Sequence, residues 1–327
     1  MNIVITGGAG FLGRRLVTKL LERGTLVGPS GNATVIDRLV VFDTIAPDPP
    51  FPAGSGVEVV TGDITERATL EQVIDARTTS VFHFAAVVSA AAEADFDLGM
   101  RVNLHGTLAV LDACRRLSQT PRLVFTSSIA TFGGDLPDVV DDSVPQMPQS
   151  SYGTQKAIGE LLVNDYTRKG FVDGRAVRLP TIVVRPGKPN QAASSFASSI
   201  IREPLQHMDT VCPVSRETRL AILSPRQAVE AFLRAHDLPG AVWGARRSLI
   251  VPGLSVTVAE MITALRRVAG EQPLQHIRWQ PDANIQRIIG SWPGAFTSVR
   301  AQQLGFQADA SMDDIVRAFI EDDLSHS

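Results

Sequence analysis

Seven residues near the start of the chain, Gly7-Gly-Ala-Gly10-Phe-Leu-Gly13, restrict its folding options more than any other stretch. They follow a short apolar run, Asn2 to Thr6, that reads as a strand. They precede an amphipathic segment, Phe11 to about Arg23, with Leu16, Leu20 and Leu21 on its buried face. Strand, glycine turn and helix in that order form the context in which a dinucleotide pyrophosphate is cradled. Gly7 allows the tight turn, Gly10 lets the backbone approach the pyrophosphate, and Gly13 permits close helix–strand packing. The N–H groups of the helix start, at Phe11 and Leu12, then face the anion.

Beyond this unit, strand-like and helix-like segments alternate. The pattern predicts an α/β fold, a doubly wound parallel (Rossmann) sheet with a smaller C-terminal substrate lobe. Leu39 to Asp43 reads as the second strand, and Asp43 at its C-terminal end is placed to accept hydrogen bonds from ribose hydroxyls. It stands 30 residues after Gly13, later than the usual ~20, because Gly24 to Ala33 reads as a surface insertion. Asp37 fits the usual count better, but it precedes the strand and falls at the wrong end of the sheet. Thr44, Ile45 and Ala46 follow Asp43 without an arginine, which favours NAD over NADP.

Composition narrows the class. At 327 residues, 44% hydrophobic and 20% charged, the chain can bury a large core and a smaller lobe. A net charge of −3 without basic clusters gives no reason to expect nucleic acid or a lipid surface as partner. No apolar run approaches ~18 residues and no signal peptide precedes the first strand, so a cytoplasmic location is expected. Cys114 and Cys212 read as buried thiols rather than a disulfide, and no metal site is expected.

The chemistry concentrates between Ser128 and Lys156. Tyr152 and Lys156 lie four residues apart at the start of a helix-like segment, with Ile158, Leu161, Leu162 and Tyr166 at helical spacing. Positions i and i+4 share a face, so the ammonium can sit beside the phenol. A free tyrosine titrates near pH ~10, and a neighbouring cation favours its phenolate, which makes the pair a candidate general base.

TGGAGFLG at the N-terminus with a downstream S…YxxxK set resembles the extended short-chain dehydrogenase/reductase family, which includes nucleotide-sugar epimerases and dehydratases. The resemblance runs over essentially the whole chain. Residues 179–205 and 211–231 resemble its D-erythronate dehydrogenase branch. It implies NAD as cofactor, with Ser128, 24 residues before Tyr152, hydrogen-bonded to the reacting oxygen. Tyr152 would act as base, and Lys156 would lower the Tyr152 pKa and bind nicotinamide-ribose hydroxyls. By the same likeness Asp63 and Ile64 border the adenine, although Asp63 could equally cap the helix after Thr65. Ala85, Ala86 and Val87, after the strand Ser80 to Phe84, line the cofactor path. Asn103, in VNLHGT on a helix from about Ala90 to Leu117, props the site. Pro180 and Ile182 face the carboxamide. His83 reads as a core histidine.

The second lobe departs from the nucleotide-sugar pattern. Thr181 and Arg185-Pro-Gly187-Lys188 replace an asparagine and a Y-G-P turn, and Leu220 and Ser224-Pro-Arg226 replace acidic positions. Arg185, Lys188, Arg216 and Arg219, with Ser89, Asn190, Ser194 and Ser195, are candidates for a small carboxylate and its hydroxyls. The implied reaction is oxidation of the C2 hydroxyl of a sugar acid, D-erythronate by resemblance. The alternatives are a nucleotide-sugar epimerase or dehydratase that retains NAD, and a dinucleotide-sensing regulator without turnover. The expected domains are 1–178, with 224–238 returning to it, and a lobe of 179–223 and 239–327. Ser248 to Val251 is expected as a lobe strand, Trp279 and Trp292 as lobe core or rim. A homodimer is expected.

Overall fold

The structure, a computed structural model, describes residues 1–187, 194–290 and 292–324. In chain order the first part comprises β1 (Asn2–Thr6), α1 (Phe11–Arg23), β2 (Thr25–Val27), β3 (Ala33–Val35), β4 (Arg38–Asp43), β5 (Val57–Thr61), α2 (Arg67–Val73) and β6 (Thr78–His83). Then come α3 (Ser89–Ala94), α4 (Phe96–Gly99), a π-helical stretch Met100–Gly106, α5 (Thr107–Arg115), β7 (Arg122–Ser128), α6 (Ser151–Arg168) and β8 (Asp173–Leu179). The remainder includes β9 (Thr181–Ile182), α7 (Ser195–Leu205), β10 (Thr210–Cys212), β11 (Arg219–Leu223), α8 (Pro225–Asp237), α9 (Gly240–Trp243), β12 (Ser248–Ile250) and β13 (Leu254–Thr257). It closes with α10 (Val258–Ala269), β14 (Ile277–Trp279), α11 (Ala283–Gly290), α12 (Val299–Gln303) and α13 (Met312–Phe319).

Two compact units result. The first holds residues 1–128, 150–178 and 229–249. Its seven-stranded sheet runs β12-β8-β7-β6-β1-β4-β5, with the ladders from β7 to β5 parallel. Ile3 to Ile5 and Leu39 to Phe42 are buried because helices cover both faces of a parallel sheet, which explains their unbroken apolar runs. The chain leaves β1 for β4 on one side and later places β6 on the other. The order therefore reverses at β1, and that switch point is where a doubly wound sheet opens a crevice. Thr6 is in register with both Phe42 and His83, so three strand ends meet there.

The structure refines or corrects several expectations. The insertion 24–33 belongs to an antiparallel hairpin, β2 with β3, tied down by the buried Arg122 guanidinium, which donates to Val27 O (2.6 Å) and Gly28 O (3.1 Å). The single helix 90–117 is broken at Asp95 and passes through the π stretch. On α6, spaced as a helix, Leu161 is 66% exposed, while the polar Gln155, Lys156 and Glu160 are buried together with Ala157, Gly159 and Val163. Finally, β12 is an edge strand of the main sheet rather than part of the lobe, with Arg247 O accepting from Ala176 N–H at 2.7 Å. Residues 239–249 accordingly fall with the first unit. The expected boundary at 178 also differs at 129–149, which fall with the second: Ile129, Phe132 and Val140 share an apolar cluster with Ala221 and Ile250.

The second unit holds residues 129–149, 179–228 and 250–327. Pro180 ends β8, and β9 beyond it pairs in parallel with β11, which pairs antiparallel with β13. A cluster including Val183, Phe196, Ile200, Met261, Leu265, Ile315 and Phe319 forms its core, with Trp279 and Trp292 packed partly buried against it. Thr257 and Glu260 close a reciprocal capping box at the start of α10.

Candidate functional site

The glycine turn forms at the crossing of β1, β4 and β6. Gly7 has φ 71°, and a Cβ there would lie 2.5 Å from Ala85 N. A Cβ on Gly13 would lie 2.4 Å from Gly7 O, so only glycines let α1 seat directly over the turn. Gly10 caps α1 with no side-chain cap and no acidic residue in the first turn, which leaves the N–H groups at Phe11 and Leu12 for an anion. This narrow, side-chain-free cradle fits a dinucleotide pyrophosphate.

Asp43 ends β4 beside the turn. Its Oδ2 accepts from Ala9 N–H (3.0 Å) and its Oδ1 from Thr44 N–H (2.8 Å). Asp37 instead pairs with the N-terminal ammonium at the opposite end of β1 (2.5 Å). The Asp63 carboxylate accepts from Thr65 N–H and Oγ1 and pairs with Arg101 (2.9 Å). The Thr65 bonds hold its pKa below the usual carboxylate value. Asp63 thus closes a turn at Thr65, while Glu66 stands at the N-cap of α2. Ile64 is buried against Gly106, where a Cβ would meet its Cγ2 at 2.7 Å.

Ala85 to Val87 are half-buried after β6, followed by Ser89 at the start of α3. Asn103, on the π stretch, holds Val87 from both sides. Its Oδ1 accepts Val87 N–H (2.7 Å) and its Nδ2 donates to Val87 O (3.0 Å) and to Gln155 Oε1 (2.7 Å). Thr107 Oγ1 gives its proton to Asn103 O (2.6 Å), so it must accept from His83 Nε2 (2.9 Å); His83 Nδ1 then accepts from Thr6 Oγ1 (2.7 Å). The histidine is a neutral Nε2–H tautomer. Burial, aided by the Lys156 charge, depresses its pKa to about 3.

Ser128 closes β7 and is half-buried. Ser150 caps α6 by accepting from Gly153 N–H (3.1 Å), which sets Tyr152 in the first turn and Lys156 one turn on. Lys156 is 3% exposed; its Nζ donates to Thr126 O (2.8 Å) and lies 5.6 Å from the Tyr152 ring centroid. Desolvation pulls its pKa to about 8, opposed by the Glu160 charge. Glu160 accepts from Ser127 Oγ (2.5 Å) and, through two oxygens, from Arg178 Nε and Nη2 (2.9 and 2.6 Å). Sequence reading missed Gln155, Glu160 and Arg178. The i+4 step from Lys156 to Glu160 was the available signal.

The second-unit candidates come from several elements. Pro180 precedes β9, and the buried Ile182 within it accepts through its O from Arg185 Nε (3.1 Å). Ser198 Oγ accepts Arg185 N–H (3.0 Å), and the buried Arg202 donates to Arg185 O (2.6 Å). Ser194 is buried at the N-cap of α7 and Ser195 is its first residue. Arg216 is exposed and stacks on Trp279 at 4.6 Å; Arg219 reaches Ser255 Oγ at 3.3 Å. Lys188 and Asn190 lie outside the described residues. Cys114 and Cys212 are free and buried. Among the described residues no His, Cys, Asp or Glu group is arranged to hold a metal, and no helix is long and apolar enough to cross a membrane.

Fold and cradle together define a dinucleotide-binding α/β protein. The chain belongs to the NAD-dependent epimerase/dehydratase family, within the extended short-chain dehydrogenases/reductases, whose profile matches residues 3–245. It is 56% identical over 322 residues to a D-erythronate dehydrogenase of Cupriavidus necator, covering 98% of each chain. It is 45% identical to one of Haemophilus influenzae, covering 99% of this chain and 100% of the other. Among solved structures, one described as the nucleoside-diphosphate-sugar epimerase from Agrobacterium tumefaciens matches at TM-score 0.93 and 43% identity, over 100% of this chain and 95% of that one.

Proposed function

We propose that this NAD-dependent dehydrogenase oxidises the C2 hydroxyl of a small sugar acid, D-erythronate, to the 2-oxo acid. The observation that carries the chemistry is the buried Lys156 ammonium beside the Tyr152 ring. An ammonium in a desolvated setting favours the phenolate, so Tyr152 takes the hydroxyl proton. Ser128 donates to the reacting oxygen, and Lys156, steadied by Thr126 O, stays charged below about pH 8. Bound NAD supplies the hydride acceptor. Gly7, Gly10, Phe11, Leu12 and Gly13 would hold its pyrophosphate and Asp43 its adenosine ribose; Asp63 and Ile64 would border the adenine. Ala85 to Val87, Asn103, Pro180 and Ile182 are assigned to the nicotinamide half.

The substrate class rests on the two full-length relatives and on the basic, hydroxylated stretch 185–219. The acid's carboxylate and hydroxyls are assigned to Ser89, Arg185, Lys188, Ser194, Ser195, Arg216 and Arg219 as a pool. A second reading, a nucleotide-sugar epimerase with retained NAD, is favoured by the description of the Agrobacterium structure. Incubating the purified protein with NAD and four-carbon sugar acids, and separately with UDP-glucose, distinguishes them. NADH formation with D-erythronate supports the first reading; conversion of the nucleotide sugar without net NADH supports the second and overturns the first.

A further inference from the structure

We propose that Gln155 is a positioning residue for the reaction, its carboxamide oxygen tying the helix that carries Tyr152 and Lys156 to the Val87 backbone through Asn103. The inference rests on the reading that Tyr152 and Lys156 do the chemistry. Donor accounting carries it. Asn103 Nδ2 has two hydrogens; one goes to Val87 O (3.0 Å) and the other to Gln155 Oε1 (2.7 Å). Asn103 is 2% exposed and Gln155 1%, so no water substitutes freely for either partner. Among the described residues Gln155 Nε2 finds no partner, so the side chain acts only as an acceptor. Flipping the amide would set two NH₂ groups against each other, which fixes its orientation.

The anchor at the other end is rigid. Asn103 is held by Thr107, and through His83 by Thr6, the residue before Gly7. The π stretch, with its wider i+5 turn, carries Asn103 in this arrangement, and such bulges recur at functional sites. Gly99 makes room: a Cβ there would lie 2.7 Å from Gln155 Nε2 and 3.2 Å from Oε1. The Gln155 carboxamide therefore sets the register of α6 against the Val87 segment. Small misplacement of reacting groups costs about 10²-fold in rate.

The test compares Gln155→Met, of similar length without an acceptor, with Gln155→Glu, which keeps an acceptor oxygen. With D-erythronate and NAD, the Met variant should lose about 10- to 100-fold in kcat while its NAD dissociation constant stays within about threefold. The Glu variant should recover most of that loss. If the Met variant does not fold, Gly99→Ala, which crowds the same carboxamide, should show the same loss in kcat at near-constant NAD affinity. Wild-type kcat in the Met variant, or in Gly99→Ala where that variant is the one tested, overturns the proposal. A Glu variant as slow as Met does so too, as does NAD affinity falling in step with kcat. Tyr152→Phe, run alongside, separates the two failures: full activity there defeats the underlying reading instead.

Discussion

The Glu160 carboxylate lies one helical turn beyond Lys156 and is gripped by the Arg178 guanidinium through Nε and Nη2, both groups being buried. The two side chains thereby form a buried ion pair, each partner offsetting the other. Lys156 feels Glu160 as a smaller influence than its own desolvation.

Breaking this pair exposes its cost. Glu160→Leu or Arg178→Leu alone should destabilise by about 3–5 kcal/mol, because each leaves an uncompensated buried charge. The double variant should be less destabilised than the sum. Urea unfolding of the three proteins checks this; strict additivity would show that the two side chains do not act as a pair.

Tyr152→Phe should lower turnover by about 10²–10⁴-fold, the usual contribution of a general base, with NAD binding nearly intact. Turnover above roughly a tenth of wild type would remove Tyr152 from that role.

Asp43→Ala should raise the Michaelis constant for NAD and narrow the preference over NADP, since the carboxylate lies beside the glycine turn and repels a 2′-phosphate. Asp37→Ala, at the other end of the sheet, should leave the ratio unchanged. Kinetics with both cofactors decide between them.

Gly13→Ala would place a methyl 2.4 Å from Gly7 O, so the turn must open. NAD affinity should fall at least about tenfold, in keeping with the steric restriction on that approach. Calorimetric titration measures it, and unchanged affinity would rule the cradle out.

Lys156→Met should abolish turnover yet stabilise the fold at neutral pH. The folded pKa of Lys156, about 8, lies below the ordinary value of 10.5. Below about 8 the lysine is charged in both states and the desolvation cost is fully present. Between 8 and 10.5 the folded state sheds its proton first, so wild-type stability rises with pH. The variant's advantage, on the order of 3 kcal/mol by the energy per pKa unit, should therefore be largest below pH 8 and shrink above it. Melting curves across that range test the sign.

The sequence by itself determined the strand–glycine turn–helix start, the parallel sheet, Asp43 at a strand end, and the Tyr152/Lys156 step on one helix. Each of these is a local pattern: unbroken apolar runs, glycines at fixed spacing, or an i+4 step on one helix. Only the tertiary structure decided that α6 buries Gln155, Lys156 and Glu160 instead of Leu161, because their partners Asn103, Thr126 and Arg178 come from elements 52, 30 and 18 residues away. The break of helix 90–117 into a π turn at Asn103 and the joining of β12 to the main sheet have the same origin. Burial of a polar side chain is favourable only when a distant partner completes its hydrogen bonds, and no periodicity along one segment records where that partner is.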